Sequence, residues 1–335
     1  MRAPLVLLLL LGACSGAPPR TVQVERRVML MGTSLEITVE AADRGAGLAA
    51  SERAVEALET AEARLSTWRD DSELARLNRA PLGEPVSLSL ALFSDLATAR
   101  RCWQETGGAF DPAIGPLVQA WGLRTGGRLP DERERRQAVA ASRMEGLRLE
   151  PRLAVREQPG LLLEEGGFGK GAGLRDAIGV LSRAGVSRAS LDLGGQVAVL
   201  GRGWTIPVAD PRRRDRPVIA LSIDGGSVST SGNGERGIEV NGRRLGHILD
   251  PRTGEPAADF GSLTVWTADP LRADCLSTGL YVLGPDRALR WAATHRGVEV
   301  LVLHPEGGRL KALASPGWQG KLQVLDPEVK VEPGS

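Results

Sequence analysis

The sequence predicts an α+β fold, in which hairpins of short strands are combined with long amphipathic helices. The 335 residues include 42 glycines and 21 prolines, which favours many turns between short elements. Helical and strand-like segments are mixed along the chain rather than alternating regularly, so a uniformly wound parallel sheet is not expected. Apolar residues make up 42% and charged residues 25% of the chain, and the net charge is +1. This composition indicates a globular protein with a real core, and it gives no reason to expect a nucleic-acid partner.

The first fourteen residues predict an export signal that ends at a lipidated cysteine. Arg2 supplies a positive start, Leu5–Leu11 an apolar run, and Leu11-Gly12-Ala13-Cys14 a small-residue end. The apolar run is too short to cross a bilayer as a helix. Small residues followed by cysteine resemble the lipobox of bacterial lipoproteins. We therefore expect a lipid on Cys14 that anchors the protein to a bacterial membrane, facing the periplasm or the cell exterior. An ordinary signal peptide with a chance cysteine is the alternative.

The remainder predicts one domain between two short flanking segments. We place a tether at residues 15–27, the folded domain at 28–326 and a tail at 327–335. Cys102 and Cys275 each fall in an apolar helical pattern, and the chain has no C-x-x-C motif. Two separate buried thiols are therefore expected rather than a disulfide.

The helices are predicted from apolar residues that recur every three to four positions. On the first helix, Leu48, Val55, Leu58 and Leu65 fall near one face, and the second is capped by Ser87 or Ser89 and stopped by glycines. In chain order the predicted helices are Ala46–Leu65, Ser87–Thr106, one that begins near Pro130, Gly171–Ala184, one from Pro270, and Asp286–Thr294.

The strands are predicted from alternating or short apolar segments between glycine-rich turns. In chain order they are Val28–Val39, Leu161–Glu165, Ser190–Leu193, Val197–Leu200, Trp204–Val208, Val218–Ile223, Ser227–Thr230, Gly237–Val240, Arg244–Leu249, Leu263–Thr267 and Val298–Leu303. The turn at Asn241-Gly242 is a strong hairpin signal.

Residues 246–278 concentrate groups that can do chemistry. His247 is one of three histidines in the chain. Asp274 and Thr278 are four positions apart, so a helix sets this carboxylate and this hydroxyl on one face. Oxygen ligands of this kind suit a hard cation such as Mg²⁺ better than zinc. The segment Asp250-Pro251-Arg252-Thr253-Gly254 places a carboxylate, a guanidinium and a hydroxyl in one turn. The alternatives are an ordinary turn and a solvated helix face.

The glycine-rich loop at residues 164–171 lies between a predicted strand and a predicted helix. A helix N-terminus with a lysine is a natural phosphate site. The loop is not a Walker A motif, since Glu164 and Gly171 stand where that motif needs glycine and Ser or Thr. A dinucleotide-binding reading remains open, because Gly167, Gly169 and Ala172 fit the looser fingerprint and Asp192 follows twenty residues later. A purely structural glycine turn is the other alternative.

These motifs and several others together resemble the ApbE family of FAD:protein FMN transferases. The resemblance runs from Met31 to about Gly284. Its motifs are Met31-Gly32-Thr33, Ser66-x-Trp68-x-x-x-Ser72-Glu73-Leu74-x-x-Leu77-Asn78, Gly108-Ala109-Phe110-Asp111-Pro112, Gly166-Gly167-x-x-Lys170-Gly171, Asp192-Leu193-Gly194-Gly195, Thr230-Ser231-Gly232 with Arg236, His247-Ile248-Leu249-Asp250-Pro251-Arg252-Thr253-Gly254, and Ala273-Asp274-x-x-x-Thr278.

The resemblance implies antiparallel sheets with flanking helices and a cofactor cleft between two subdomains. It implies an Mg²⁺-dependent enzyme that transfers FMN from FAD to a Ser or Thr hydroxyl of an acceptor redox protein and releases AMP. The acceptor is expected to carry a motif like Asp-Gly-x-Ser/Thr-Gly-Ala-Ser/Thr.

The resemblance also implies roles for individual residues. His247 is the candidate general base, since a histidine that titrates near neutrality can take the proton of the hydroxyl. The residues implied to surround FAD are Met31, Trp68, Ala109, Phe110, Asp111, Glu164, Gly167, Lys170 and Ile248. Those implied to hold Mg²⁺ are Asp274, Thr278 and the backbone carbonyl of Gly169. The chain departs from the family at Glu164, Glu165 and Gly169, where Asp, an apolar residue and Ala are usual.

Two other functions fit the same residues. One is a flavin-binding lipoprotein that holds FAD without transferring FMN. The other is an Mg²⁺-dependent FAD pyrophosphatase that releases FMN to water. Transfer and hydrolysis differ only in the nucleophile, which is not part of this chain.

Overall fold

The computed structural model describes residues 21–234, 237–240 and 242–334. The predicted signal peptide with Cys14, and the motif residue Arg236, lie outside these described residues. Among the described residues, no helix has both the length and the apolar character needed to cross a membrane.

The described residues combine strands and helices throughout, which confirms the predicted α+β class. The strands are β1 Val22–Leu30, β2 Thr33–Ala41, β3 Pro85–Ser87, β4 Leu147–Glu150, β5 Leu153–Arg156, β6 Arg188–Leu193, β7 Gln196–Leu200, β8 Trp204–Asp210, β9 Arg213–Ile223, β10 Gly226–Gly232, β11 Gly237–Val240, β12 Arg243–Gly246, β13 Ser262–Thr267, β14 Val298–Glu306, β15 Arg309–Ala314, β16 Leu322–Val324 and β17 Val329–Pro333. The helices are α1 Arg44–Leu65, α2 Glu73–Arg79, α3 Leu90–Glu105, α4 Gly115–Ala120, α5 Glu132–Ala141, α6 Gly169–Arg183, α7 Pro270–Leu283 and α8 Pro285–Thr294.

A nine-stranded sheet forms the centre of the described structure, in the order β1-β2-β6-β7-β10-β13-β14-β15-β17. Neighbouring strands are antiparallel, except that β15 and β17 run parallel. The strands β16-β9-β8 make a second sheet, β3-β5-β4 a third, and β11-β12 a hairpin. Three of its neighbouring pairs, β1–β2, β6–β7 and β14–β15, are hairpins, and the other pairs are joined by longer connections that contain helices or further strands.

The central sheet is covered on both faces, and the period-two pattern of its strands explains how. On β14, Val300 and Val302 belong to the cluster that includes helices α3, α7 and α8, whereas Leu301 and Leu303 belong to the cluster that includes β8 and β9. Successive side chains of a strand point to opposite faces, so one strand contributes to two cores. Helices α1 and α6 cover the β1-β2-β6 end of the sheet in a third cluster.

Several boundaries differ from the sequence prediction. The segment Val28–Val39 is not one strand but the inner part of the hairpin β1–β2. Residues 22–27, assigned above to a tether, lie in β1, and most of the predicted tail forms β17. Leu161–Glu165 is not a strand. Its backbone is held instead by the side chain of Asn78, which bonds Leu163 N and O at 2.8 Å each, and by a single bridge to Ile114.

Candidate active site

Met31 occupies the turn of the β1–β2 hairpin at one end of the central sheet. Met31 and Gly32 have φ values of 49° and 70°, the left-handed conformation that a two-residue hairpin turn requires. This conformation is unfavourable for a residue with a side chain. The Met31 side chain lies against the start of α6, since a methyl group on Gly173 would be 3.3 Å from its sulfur and one on Gly169 would be 3.9 Å from its terminal carbon.

Asp274 supplies the N-terminal cap of α6 from the neighbouring helix α7. The residue before α6, Phe168, has no side-chain oxygen to offer, and Oδ2 of Asp274 accepts a hydrogen bond from Gly171 N at 2.9 Å. Asp274 is 4% exposed. Burial raises its pKa, while the charge of Lys170 and the N–H groups of Gly171 and Lys170 act in the opposite direction. A carboxylate caps the helix turn that contains Lys170, and the positive ends of the helix and of this lysine make a suitable environment for phosphate with a cation.

Phe110 and Thr278 bound the glycine loop on the side of α7. A methyl group at Gly167 would lie 3.1 Å from the Phe110 ring and 3.5 Å from Thr278 Oγ1. Thr278 follows Asp274 by one turn of α7, and its hydroxyl donates to Asp274 O at 3.3 Å. Phe110 is almost fully buried, as is Ala109 beside it. The close approach leaves no room for a side chain at Gly167.

Asp111 is directed away from solvent and toward its own backbone. Its Oδ1 accepts from Ala113 N at 2.8 Å, and its Oδ2 accepts from Met144 N at 3.1 Å. Burial raises the pKa of Asp111, and these two N–H donors oppose that shift. Its carboxylate therefore fixes the loop that presents Phe110.

Trp68 and Glu164 meet through a polar cluster around Arg124. The Glu164 carboxylate accepts from Nη2 of Arg124 at 2.6 Å, and the Arg124 guanidinium lies over the Trp68 ring at 4.4 Å from its centre. The hydroxyl of Thr67 contacts both Glu164 and Glu165. Burial, followed by repulsion from Glu165, raises the pKa of Glu164 to about 7, and Arg124 works against this shift.

His247 and Ile248 are positioned by the residue that follows β10. Asn233 Oδ1 accepts from Ile248 N at 3.2 Å, and its Nδ2 donates to Ala257 O at 2.8 Å. The backbone of Asn233 in turn donates to the Tyr281 hydroxyl on α7 at 3.3 Å. The helix that carries Asp274 and Thr278 is therefore hydrogen-bonded, through Tyr281 and Asn233, to the segment that carries His247.

The Asp250–Gly254 turn is a structural element of this region. Asp250 accepts from Arg252 Nε at 2.8 Å and from Nη2 at 2.7 Å, so the carboxylate and the guanidinium satisfy each other. Trp121 Nε1 donates to Gly254 O at 2.7 Å and fixes the end of the turn. These contacts are those expected of an ordinary turn, the alternative to a functional role.

The other two histidines are held by backbone carbonyl groups. Nδ1 of His295 lies 2.7 Å from Trp291 O, and its ring stacks on the Trp291 ring. Nδ1 of His304 lies 2.9 Å from Phe260 O. Both contacts are typical of histidines with a structural role.

The model of the ApbE family matches residues 31–302, which is most of the chain. The chain belongs to the ApbE family. It is 29% identical to a FAD:protein FMN transferase of Klebsiella pneumoniae over 92% of this chain and 95% of that protein, and 29% identical to one of Treponema pallidum over 96% and 94%. A second Klebsiella pneumoniae relative of the same name is 32% identical over 77% of this chain and 82% of that protein.

Solved ApbE structures have the same fold. The flavin transferase ApbE of Vibrio cholerae superposes with a TM-score of 0.80 at 27% identity, covering 90% of this chain and 100% of that one. The ApbE protein of Thermotoga maritima gives 0.81 at 27% identity, covering 90% and 99%. The glycine loop does not follow a strand, and β6, the strand after α6, pairs antiparallel with β2 and β7, so the described residues lack the parallel βαβ unit that a dinucleotide-binding site of this type requires.

The ApbE chain offers few metal ligands of its own. Within the described residues, no group of three or more His, Cys, Asp or Glu side chains could hold a metal ion. One carboxylate, on Asp274, and one hydroxyl, on Thr278, are present on the same face of α7. This incomplete set fits Mg²⁺, which commonly binds through one or two carboxylates, water molecules and the phosphates of a substrate.

The sequence analysis did not single out Arg124, Asn233 and Tyr281, which support the candidate site through the contacts described above. Arg124 lies in a polar stretch without periodicity, and only the fold brings it beside Trp68 and Glu164. A cation–π contact of this kind is not indicated by any fixed spacing of residues in the sequence. Tyr281 could have been found, since it stands three residues after Thr278 and therefore on the same side of α7.

Gly171→Ala should destabilise the fold and disturb the proposed metal site together. Its methyl group would lie 2.4 Å from Pro270 O, 2.7 Å from Leu271 Cα and 2.8 Å from Asp274 Cβ. Displacing backbone atoms is energetically costly, so we expect a loss of about 1–3 kcal/mol in the free energy of unfolding. Gly166→Ala is the matched control, because nothing lies within 4 Å of the added group. Equal denaturant midpoints for the two variants would contradict the close packing of α6 on α7.

Proposed function

We propose that this protein transfers FMN from FAD to a Ser or Thr hydroxyl of an acceptor redox protein, with Mg²⁺ as the metal and AMP as the second product. The observation that carries the proposal is the hydrogen bond from Gly171 N to Asp274 at the N-terminus of α6, the helix turn in which Lys170 also lies. The printed names of the relatives, FAD:protein FMN transferase, support the same substrate and the same class of acceptor.

The N-terminus of α6 is suited to bind the diphosphate of FAD. The positive end of the α6 helix dipole and the ammonium group of Lys170 both attract phosphate oxygens. Gly167 and Gly169 allow the backbone to approach closely, since side chains there would strike Phe110 and Glu165. The loop can therefore fix the two phosphates for in-line attack on one of them.

Asp274 and Thr278, with the carbonyl of Gly169, are the residues that would hold Mg²⁺. When bound there, the metal neutralises charge on the phosphate oxygens during phosphoryl transfer. Asp274 is held by Gly171 N, so its carboxylate is oriented before any ligand arrives. This preorganisation is what electrostatic catalysis requires.

His247 is suited to accept the proton of the acceptor hydroxyl. The hydroxyl oxygen forms a bond to the phosphorus of the FMN half, and the bond from that phosphorus to the oxygen of the AMP half breaks. The hydroxyl proton passes to the imidazole, and AMP leaves with the electron pair. Asn233 fixes the backbone beside His247, which limits the motion of the base.

The test is the intact mass of an acceptor fragment that carries the Asp-Gly-x-Ser/Thr-Gly-Ala-Ser/Thr motif. It is incubated with FAD, Mg²⁺ and the chain without residues 1–14. We expect an added FMN that disappears when the acceptor hydroxyl is removed. AMP without an adduct would indicate a pyrophosphatase instead, and intact FAD with no adduct would indicate a binding protein.

A membrane anchor at Cys14 belongs to the same proposal. It is supported by the small residues before Cys14 and by the apolar run of Leu5–Leu11. The deciding measurement is the mass of the protein extracted from membranes, which should correspond to a chain that begins at a lipid-modified Cys14. A mass without lipid would refute the anchor and leave the transferase proposal standing.

A further inference from the structure

Arg124 connects two residues of the proposed FAD site that lie far apart in the sequence. Its Nη2 donates to Oε2 of Glu164 at 2.6 Å, and its Nη1 donates to Thr67 O at 3.0 Å. Its Cζ lies 4.4 Å from the centre of the Trp68 ring. One planar cation thus contacts a carboxylate with its edge and an indole with its face, which lysine could not do.

The contact with Arg124 matters for Trp68 because this aromatic side chain is largely exposed. It is 70% exposed, although large apolar side chains are normally packed. An exposed side chain must be ordered when a ligand binds, and this ordering lowers the affinity. The guanidinium over the ring restrains Trp68 in advance through a cation–π contact. Much of the indole remains accessible to a planar ring of a ligand.

Glu164 needs the same guanidinium for a different reason. Glu164 and Glu165 both have side chains that are 14% exposed, and both contact the Thr67 hydroxyl. Two carboxylates so close repel each other in a partly buried loop. Nη2 of Arg124 lies 2.6 Å from Glu164 Oε2 and 3.9 Å from Glu165 Oε2, so its charge offsets this repulsion. The start of the glycine loop is therefore held by Arg124.

We infer that Arg124 is a positioning residue, which fixes Trp68 and Glu164 in one arrangement before the flavin nucleotide binds. The inference rests on the proposed function, since FAD is taken as the ligand. Arg124 acts on the free protein, so it should support the bound substrate and the transition state equally. Losing such uniform binding raises KM and leaves kcat unchanged.

The experiment compares Arg124→Met with Arg128→Met in the full domain. Arg128 lies in the same segment, but its guanidinium binds Glu134 at 2.7 Å on the surface. We expect Arg124→Met to raise both KM for FAD and the calorimetric Kd about tenfold, with kcat within about threefold of the parent. Arg128→Met should leave all three constants within about twofold. Arg124→Lys, which keeps the charge without the planar fork, should fall between the parent and Arg124→Met.

The melting temperatures of the variants separate a positioning role of Arg124 from a role in folding. If Arg124→Met does not fold, Arg124→Lys is tested in its place, both alone and combined with Glu164→Gln. We expect Arg124→Lys to raise Kd less in the Glu164→Gln variant than in the parent, because the effects of residues that act through each other are not additive.

Three outcomes decide the inference. Unchanged KM and Kd in the Arg124 variants, while the parent transfers FMN, would overturn it and leave the proposed function intact. A fall in kcat at constant Kd would also overturn it, because Arg124 would then act on the transition state. A parent protein that neither binds FAD nor transfers FMN would overturn the proposed function and this inference with it.

Discussion

Replacing His247 with alanine should lower the rate of FMN transfer by about 10²–10⁴-fold while FAD still binds. The loss reflects the missing proton acceptor at the moment when the acceptor hydroxyl attacks. Binding should persist, because Asn233 fixes the backbone next to His247 through Ile248 N at 3.2 Å, and the substitution leaves this hydrogen bond in place. The rate is measured by the mass of the acceptor fragment, and Kd for FAD by calorimetry.

His295→Ala is the control for this prediction. Its imidazole stacks on Trp291 and contacts the Trp291 carbonyl, with no link to the glycine loop among its described contacts. It should leave transfer unchanged. The role of His247 would be refuted by a His247→Ala enzyme that transfers FMN at the parent rate, or by one that has lost FAD binding to the same extent as activity.

Asp274→Asn should abolish the dependence of transfer on Mg²⁺ and lower the rate by at least about 100-fold, since metal-assisted stabilisation of charge contributes several kcal/mol. The amide oxygen of asparagine can still accept from Gly171 N, so the cap on α6 remains. Burial raises the pKa of Asp274, which means that its charge is unfavourable in the folded protein without metal. Removing the charge should therefore leave the melting temperature of the metal-free protein equal to or above that of the parent.

A second measurement, independent of activity, is the increase in melting temperature when Mg²⁺ and ADP are added. This increase should occur in the parent and be absent in Asp274→Asn. Asp269→Asn is the matched control on the same helix. Asp269 caps α7 through Leu271 N at 2.9 Å, and asparagine caps equally well. A parent-like response to Mg²⁺ in Asp274→Asn would exclude this carboxylate as a ligand.

The sequence predicted that Asp274 and Thr278 share one face of α7, because this signal is local. Asp274 and Thr278 are four residues apart, and helix geometry alone places them together. The first hairpin was missed for the opposite reason. Val28–Val39 alternates enough to suggest a single strand, and Met31-Gly32 is not among the dipeptides that usually mark a tight turn. The positive φ of Met31 becomes visible only in the folded chain.

Features that depend on residues far apart in the sequence could not be predicted from the spacing of residues. Leu161–Glu165 has the apolar composition of a strand, but Asn78 takes the hydrogen bonds of Leu163 that a partner strand would need. The tail that forms β17 pairs in parallel with β15, and such pairing depends on the arrangement of the whole sheet. Arg124 reaches Trp68 and Glu164 only after α1, the glycine loop and the polar segment have come together.

If Cys14 carries a lipid, the first strand lies between the membrane anchor and the candidate active site. β1 runs from Val22 to Leu30, with the Met31 turn at its far end. Nine residues of strand rise roughly 30 Å. A lipid on Cys14 would leave residues 15–21 to span at most about 25 Å. The end of the sheet that carries Met31 would then lie no more than roughly 55 Å from the bilayer. An acceptor in the same membrane must therefore present its hydroxyl within that distance, and lengthening the segment 15–21 should extend the range of acceptors that the enzyme can reach.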